Sequence, residues 1–212
     1  AFNGATTGNY DLKITADGNY SNTPPVLSSL SGAADTLYLK FDGYSAVGDG
    51  WNNNNAYTIA AYDLNGNPAE WTPLERLAIE NVWKVVAEDY RPFNINVTTS
   101  YSGSFANGVA HRQVVGNSNG SEIGLADKPL GVSSFGCYTD NVVNQGFTFA
   151  NSFEDFVGSA GASGEAMAKA LEMGNTSSHE FGHALGLYHY GGNNAQPNGI
   201  MHAPDDGLNR ER

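Results

Sequence analysis

His179-Glu180-Phe181-Gly182-His183-Ala184-Leu185-Gly186-Leu187-Tyr188-His189 is the stretch that decides how the rest of this 212-residue chain is read. From Ser163 onward, Ala166, Met167, Ala170, Leu171 and Met173 recur at helical intervals, with Ser163 as a cap and Glu165 in the first turn. The pattern continues through Phe181, Ala184 and Leu185. Gly174 and Gly182 each cost such a helix about 1 kcal/mol relative to alanine, and in a buried helix they mark close packing. On this helix His179 and His183 stand one turn apart, about 6 Å in rise and about 40° in azimuth, so both imidazoles reach one ion at roughly 2.0–2.1 Å. Glu180 projects about 100° round from His179, beside the open position and poorly placed to be a third ligand itself. In a continuous helix His189 would lie about 15 Å along the axis from His179, too far to share the ion. The chain must therefore turn, and Gly186 is where it can, because glycine accepts the left-handed conformation that ends a helix. Three neutral histidines with an open fourth position describe a catalytic zinc, whereas a structural zinc is usually closed by four protein ligands.

Four of the five histidines, His179, His183, His189 and His202, lie within 24 residues. At the chain's own residue frequencies, the five fixed positions of this pattern arise by accident in roughly two of 100,000 such chains. The alternative to an enzyme is a zinc-binding adhesion or interaction module. Glu180 separates the two readings, since holding a metal does not require a carboxylate beside the open position.

Outward from this helix the chain reads as α+β. Leu37, Leu39 and Phe41 alternate with Thr36, Tyr38 and Lys40 in a half-buried strand ended by Asp42-Gly43. Tyr44 to Pro68 reads as a long loop with one short strand at Tyr57 to Tyr62. Asp42 just before it, with Asp49 and Asn52 to Asn55 within it, are either a calcium site or solvated turn residues. Thr72-Pro73-Leu74-Glu75 carries a capping hydroxyl, a proline at the first helical position and a glutamate three residues after the cap. Leu74, Leu77, Ala78, Val82, Val85, Val86 and Tyr90 then form one apolar face, and Pro92 stops the helix. Further strands are expected at Phe93 to Thr99, Gln113 to Gly116, Gly131 to Phe135 and Phe147 to Ala150. Residues 1–34, rich in Gly, Asn, Ser and Thr, read as an extension that wraps the surface or as the remnant of a pro-segment.

Composition narrows the partners. Ten Lys and Arg against 22 Asp and Glu give a net charge of −12, with no basic cluster to neutralise phosphates, which argues against nucleic acid and anionic membranes. No apolar run approaches the roughly 18 residues of a membrane span. The 24 Asn and 26 Gly predict many loops. The one cysteine, Cys137, rules out an intrachain disulfide and is either a small buried hydrophobe or a regulatory thiol. The chain begins at Ala1 with neither Met nor an apolar leader and reads as a processed or trimmed product; a monomer is the default.

The run from His179 to His189 resembles the HExxHxxGxxH signature of the metzincin zinc metallopeptidases, and Met201, 12 residues after His189, matches the methionine that the family places in a turn beneath its zinc. Met201 as ordinary core filler would occupy the same place. The likeness extends to the order of elements over about residues 35–202, and looks nearest to secreted bacterial members of the reprolysin-like kind. It implies zinc on His179, His183 and His189, Glu180 as general base and acid, a Met-turn at Met201, and secretion. The implied fold is a twisted, mostly parallel sheet of about five strands with a backing helix and an active-site helix. The catalytic subdomain would span residues 35–189, followed by a short, truncated C-terminal subdomain at 190–212. Tyr190 follows the third histidine, His202 follows Met201, and position 203 is Ala, so no tyrosine stands two residues after the methionine. Tyr188, Tyr190 and His202 are therefore the candidates to assist the transition state. Protein or peptide substrates would bind extended along an exposed strand edge, for which Gly131, Val132, Ser133, Ser134 and Phe135 are the candidate. An interior strand is the other reading of that segment.

Overall fold

Alternating leucines build the first strand: β1 (Asp35–Lys40) buries Leu37 and Leu39 completely on one face of the sheet. A computed structural model of the chain describes residues 21–140, 142–156, 161–189 and 199–201. In it β1 lies parallel to β4 (Ile95–Thr98) along one edge and to β5 (Ala110–Asn117) along the other. Beyond β5 comes β7 (Gln145–Phe149), also parallel, and β6 (Gly131–Ser133) closes that side antiparallel to β7. A hairpin of β2 (Tyr44–Ala46) and β3 (Tyr57–Ala61) joins the end of β5 antiparallel, through Ala60 opposite Asn117 and Ala61 opposite Gly116.

The fold is thus α+β, with a mixed seven-stranded sheet. This corrects the expectation of about five mostly parallel strands. Four strands are mutually parallel, but β6 and the hairpin contribute three antiparallel pairings. The hairpin's first strand escaped notice because Tyr44-Ser45-Ala46 is too short to display alternation.

Two long helices cover one face of the sheet. Against them pack Leu37, Leu39, Val97 and Val115 from the strands, Ile79, Val82 and Val86 from α1 (Pro73–Asp89), and Met173 and Phe181 from α2 (Gly161–Ala184). On the opposite face Ile59, Val114, Phe147 and Phe149 form a second cluster with Trp51 against it. β7 is accordingly buried at every position, as a strand covered on both faces must be. Leu77, on the apolar face of α1, is instead exposed, as is Phe93, which lies before β4 and not in it, and α2 begins by Gly161, which puts Ser163 inside its first turn instead of at the cap.

The start of α1 is fixed by the expected capping box. Thr72 Oγ1 accepts from Glu75 N at 3.2 Å, while Glu75 Oε2 accepts from Thr72 N at 2.6 Å and from Thr72 Oγ1 at 2.7 Å. Glu75 is completely buried, and its Oε1 accepts from Leu64 N at 2.8 Å, so the cap also ties down the preceding loop. Thr72→Ala should lower stability by about 1–2 kcal/mol in urea denaturation, toward the upper end of capping effects because a buried carboxylate loses a donor.

Leu27 to Ser29 run along the outer edge of β4, with Thr99 N donating to Leu27 O at 3.1 Å and Ser29 N to Val97 O at 3.0 Å. That contact covers a sheet edge that would otherwise be open to pairing with another chain. The part of the predicted N-terminal extension at 1–20 lies outside the described residues, as do Tyr190 and His202. No helix among the described residues is long and apolar enough to cross a membrane.

Candidate metal centre

α2 stops where the glycine requires it to. Gly186 has φ +86°, and the amides of Gly186 and Leu187 donate back to His183 O at 2.9 Å and Gly182 O at 3.0 Å. These are the two hydrogen bonds of a Schellman turn. The reversal carries His189 back to the helix that bears His179 and His183, and the ligand-capable atoms of the three rings all lie within 4.8 Å of one another. His179 Nε2 stands 2.9 Å and His183 Nε2 3.0 Å from His189 Nε2.

Backbone carbonyls set the tautomers of the first two rings. His179 Nδ1 faces Ile200 O at 2.8 Å and His183 Nδ1 faces Leu187 O at 2.9 Å. A carbonyl oxygen only accepts, so each Nδ1 carries the proton and each Nε2 presents a lone pair toward the same point. Two such lone pairs meet at His189 Nε2, which has at most one proton to share between them. The donor set therefore suits a cation: tetrahedral zinc with bonds of roughly 2.0–2.1 Å would hold its nitrogens about 3.3 Å apart, close to the spacing found. Carbonyls behind the ligand rings are the usual second layer of such a site. Burial and the neighbouring His183 charge hold the His189 imidazole below its ordinary pKa, which favours the neutral form that binds metal.

Glu180 lies on the sheet side of this cluster and is nearly buried; burial pushes its carboxyl up to about 8. Its neighbour is the start of β6. A Cβ added to Gly131 would stand 2.8 Å from Glu180 Cγ and 2.7 Å from Thr176 Cγ2, so only glycine lets the strand approach the helix this closely. Among the described residues β6 pairs with β7 alone, so its other side is a free edge, and Glu180 lies against the face of its first residue, Gly131. Gly131, Val132 and Ser133 form that edge, while Ser134 and Phe135 lie beyond it in the loop that follows. Gly136 N and Tyr138 N in this loop donate to His183 O and Ala184 O at 2.9 and 3.0 Å, pinning it to the end of α2.

Met201 is buried against α2 at Gly182, the residue before His183. A Cβ at Gly182 would fall on its thioether sulfur, so the glycine in the middle of the motif is the slot into which the methionine fits. Gly182→Ala should cost about 1–3 kcal/mol by overpacking. Because Met201 follows the residue whose carbonyl holds His179, the same change should weaken any metal ion's hold on the three histidines about 10–100-fold in competition with a chelator. Tyr188, a candidate for transition-state assistance, is exposed, with its ring stacked on Phe135. Tyr90, which was read only as part of an apolar face, donates from its hydroxyl to Ser178 O at 2.8 Å, holding the turn of α2 that precedes His179.

Asp42, Asp49, Asn52 and Asn54, the candidates for calcium, are engaged with neighbouring protein groups. Asp42 pairs with Lys40 at 2.5 Å, and Asp49 Oδ2 accepts from Tyr57 Oη at 2.6 Å. Asn54 Oδ1 accepts from Gly50 N at 2.8 Å, and Asn52 Nδ2 donates to Ala56 O at 3.1 Å. Cys137 is buried, as its reading as a small hydrophobe expects.

Comparison with protein-family models and with curated proteins finds no match to this chain.

Proposed function

We propose that the chain is a zinc-dependent hydrolase. More particularly, we read it as a metalloendopeptidase of metzincin type, secreted as that resemblance implies. The observation that carries this reading is the convergence of three histidine Nε2 atoms at the turn of α2 that also bears the buried carboxyl of Glu180. The Met201 side chain seated against Gly182 and the free edge of β6 support it further.

Zinc held by His179, His183 and His189 would supply Lewis acidity, enough to polarise a carbonyl and acidify water near neutral pH. Glu180 takes the proton of the attacking water on its carboxylate and passes it to the departing amine as the peptide C–N bond breaks, so that the products are a carboxylic acid and a free amine. β6 holds the peptide extended by pairing with its backbone, with the scissile bond beside Glu180. His179 and His183, locked by Ile200 O and Leu187 O, keep their lone pairs aimed without further reorganisation.

The test is metal content together with cleavage. Purified chain should contain about one zinc per molecule and release new amino termini from casein or gelatin, and a chelator should stop the release. Zinc binding without new termini would assign the chain to the non-catalytic class instead.

A further inference from the structure

Two aromatic rings stand in water at the rim of the metal centre. Tyr188 is 74% exposed and Phe135 44% exposed, yet they stack on one another with centroids 4.2 Å apart and planes inclined by 32°. Both are anchored to the centre through their neighbours. Tyr188 immediately precedes His189, and Phe135 precedes Gly136, whose amide is bonded to the carbonyl of His183. Phe135 also comes two residues after β6, so the stack lies past the C-terminal end of the strand whose first residue borders Glu180. Leu187, in the same turn as Tyr188, is half exposed as well.

Exposed apolar groups scattered singly need no explanation, but stacked aromatics at the end of a free strand edge make a rigid apolar surface that costs little entropy to use. A peptide paired along β6 presents its side chains alternately to the two faces and continues past the strand end toward this stack. We propose that Phe135 and Tyr188 form a shelf receiving one large apolar or aromatic side chain of the peptide substrate. That side chain lies on the side of the scissile bond that overlies the C-terminal end of β6. The inference rests on the peptidase reading above and adds the class of substrate, namely peptides with an aromatic or large aliphatic residue at one fixed distance from the cut.

The experiment is cleavage of a peptide library randomised on both sides of the scissile bond, followed by kcat/KM for paired peptides with Phe or Ala at the selected position. The wild-type chain should favour Phe, Tyr or Leu at one subsite, with a Phe-to-Ala ratio of about 20-fold or more. Phe135→Ala and Tyr188→Ala should each reduce that ratio to about threefold or less, while Phe135→Leu should retain most of it. Circular dichroism and zinc content of the variants establish that they are folded and loaded. Equal loss on both peptides would overturn the inference, because the rings would then be supporting the centre and not reading the substrate. Cleavage with no apolar preference at any subsite would overturn it while leaving the peptidase reading intact. A change of oligomeric state in the variants with the preference unaltered would reassign the rings to self-association and overturn it too. If the wild-type chain cleaves nothing, the peptidase reading fails and takes the shelf with it.

Discussion

Glu180→Ala protein should still bind about one zinc per chain and should hydrolyse peptides about 10²–10⁴-fold more slowly than the wild type. Metal content should survive because the three Nε2 atoms that converge belong to His179, His183 and His189, and the carbonyls that face the Nδ1 atoms of His179 and His183 are those of Ile200 and Leu187. Hydrolysis should fall because nothing else in that position takes and returns a proton. The carboxyl is suited to the task by its surroundings: burial raises it to about 8, and a cation bound at the neighbouring histidines pulls it down again, toward the neutral range where a base is most effective. Glu180→Asp should also be strongly impaired, since withdrawing the carboxylate by one methylene misplaces it by more than the roughly 1 Å that already costs about 10²-fold. Activity at wild-type level in Glu180→Ala would remove this residue from the mechanism, and loss of zinc in that variant would make it a ligand instead.

The three-histidine cluster was legible in the sequence because its logic is local. One helical turn relates His179 to His183, and a single left-handed residue, Gly186, returns the chain to them, so spacing alone places three imidazoles near one point. The atoms that aim those imidazoles were not legible, because they are the carbonyl oxygens of Leu187 and Ile200, and a backbone oxygen has no residue identity to read. Glycines fall between these cases. Gly182 could be marked as a site of close packing, but its partner, Met201, is brought to it by chain reversal, and Gly131 gave no hint that its missing side chain makes room for Glu180. For the fold, the strongly alternating β1 and the capped α1 were readable, while the β2–β3 hairpin and the antiparallel β6 are short pieces whose pairing is decided by tertiary context. The fifth histidine, His111, drew no attention because it stands apart from the motif. Its relation to Gln113 and Val115, two and four residues on along β5, is nevertheless the period-two pattern of residues sharing one face.

His111 should make the metal-free protein less stable as pH falls from 7 to 5, by about 2 kcal/mol over that interval. The ring is completely buried, packed at 5.3 Å from Phe181, with Nε2 3.2 Å from Gln113 Oε1 and Nδ1 3.9 Å from Cys137 Sγ. Gln113 Nε2 donates to Thr148 Oγ1 at 3.0 Å, which leaves its Oε1 as acceptor and assigns the imidazole proton to Nε2. Nδ1 then faces a thiol, a weak donor that suits a neutral ring and cannot stabilise a charged one. Burial, with the Arg112 charge adding to it, lowers the His111 pKa from 6.5 to about 4, against the smaller opposing effect of the Gln113 hydrogen bond. Below 6.5 the unfolded chain binds a proton that the folded one refuses, so the contribution is fully present above 6.5 and is lost as pH falls toward 4. Over the whole window the loss amounts to about 3 kcal/mol, at 1.36 kcal/mol per pKa unit. Urea denaturation of metal-free wild type and His111→Gln at pH 7 and 5 checks this, since every other group is common to the two proteins and cancels in the comparison. The wild type should lose about 2 kcal/mol more than the variant, whereas identical slopes would mean that the buried ring accepts a proton in the folded state.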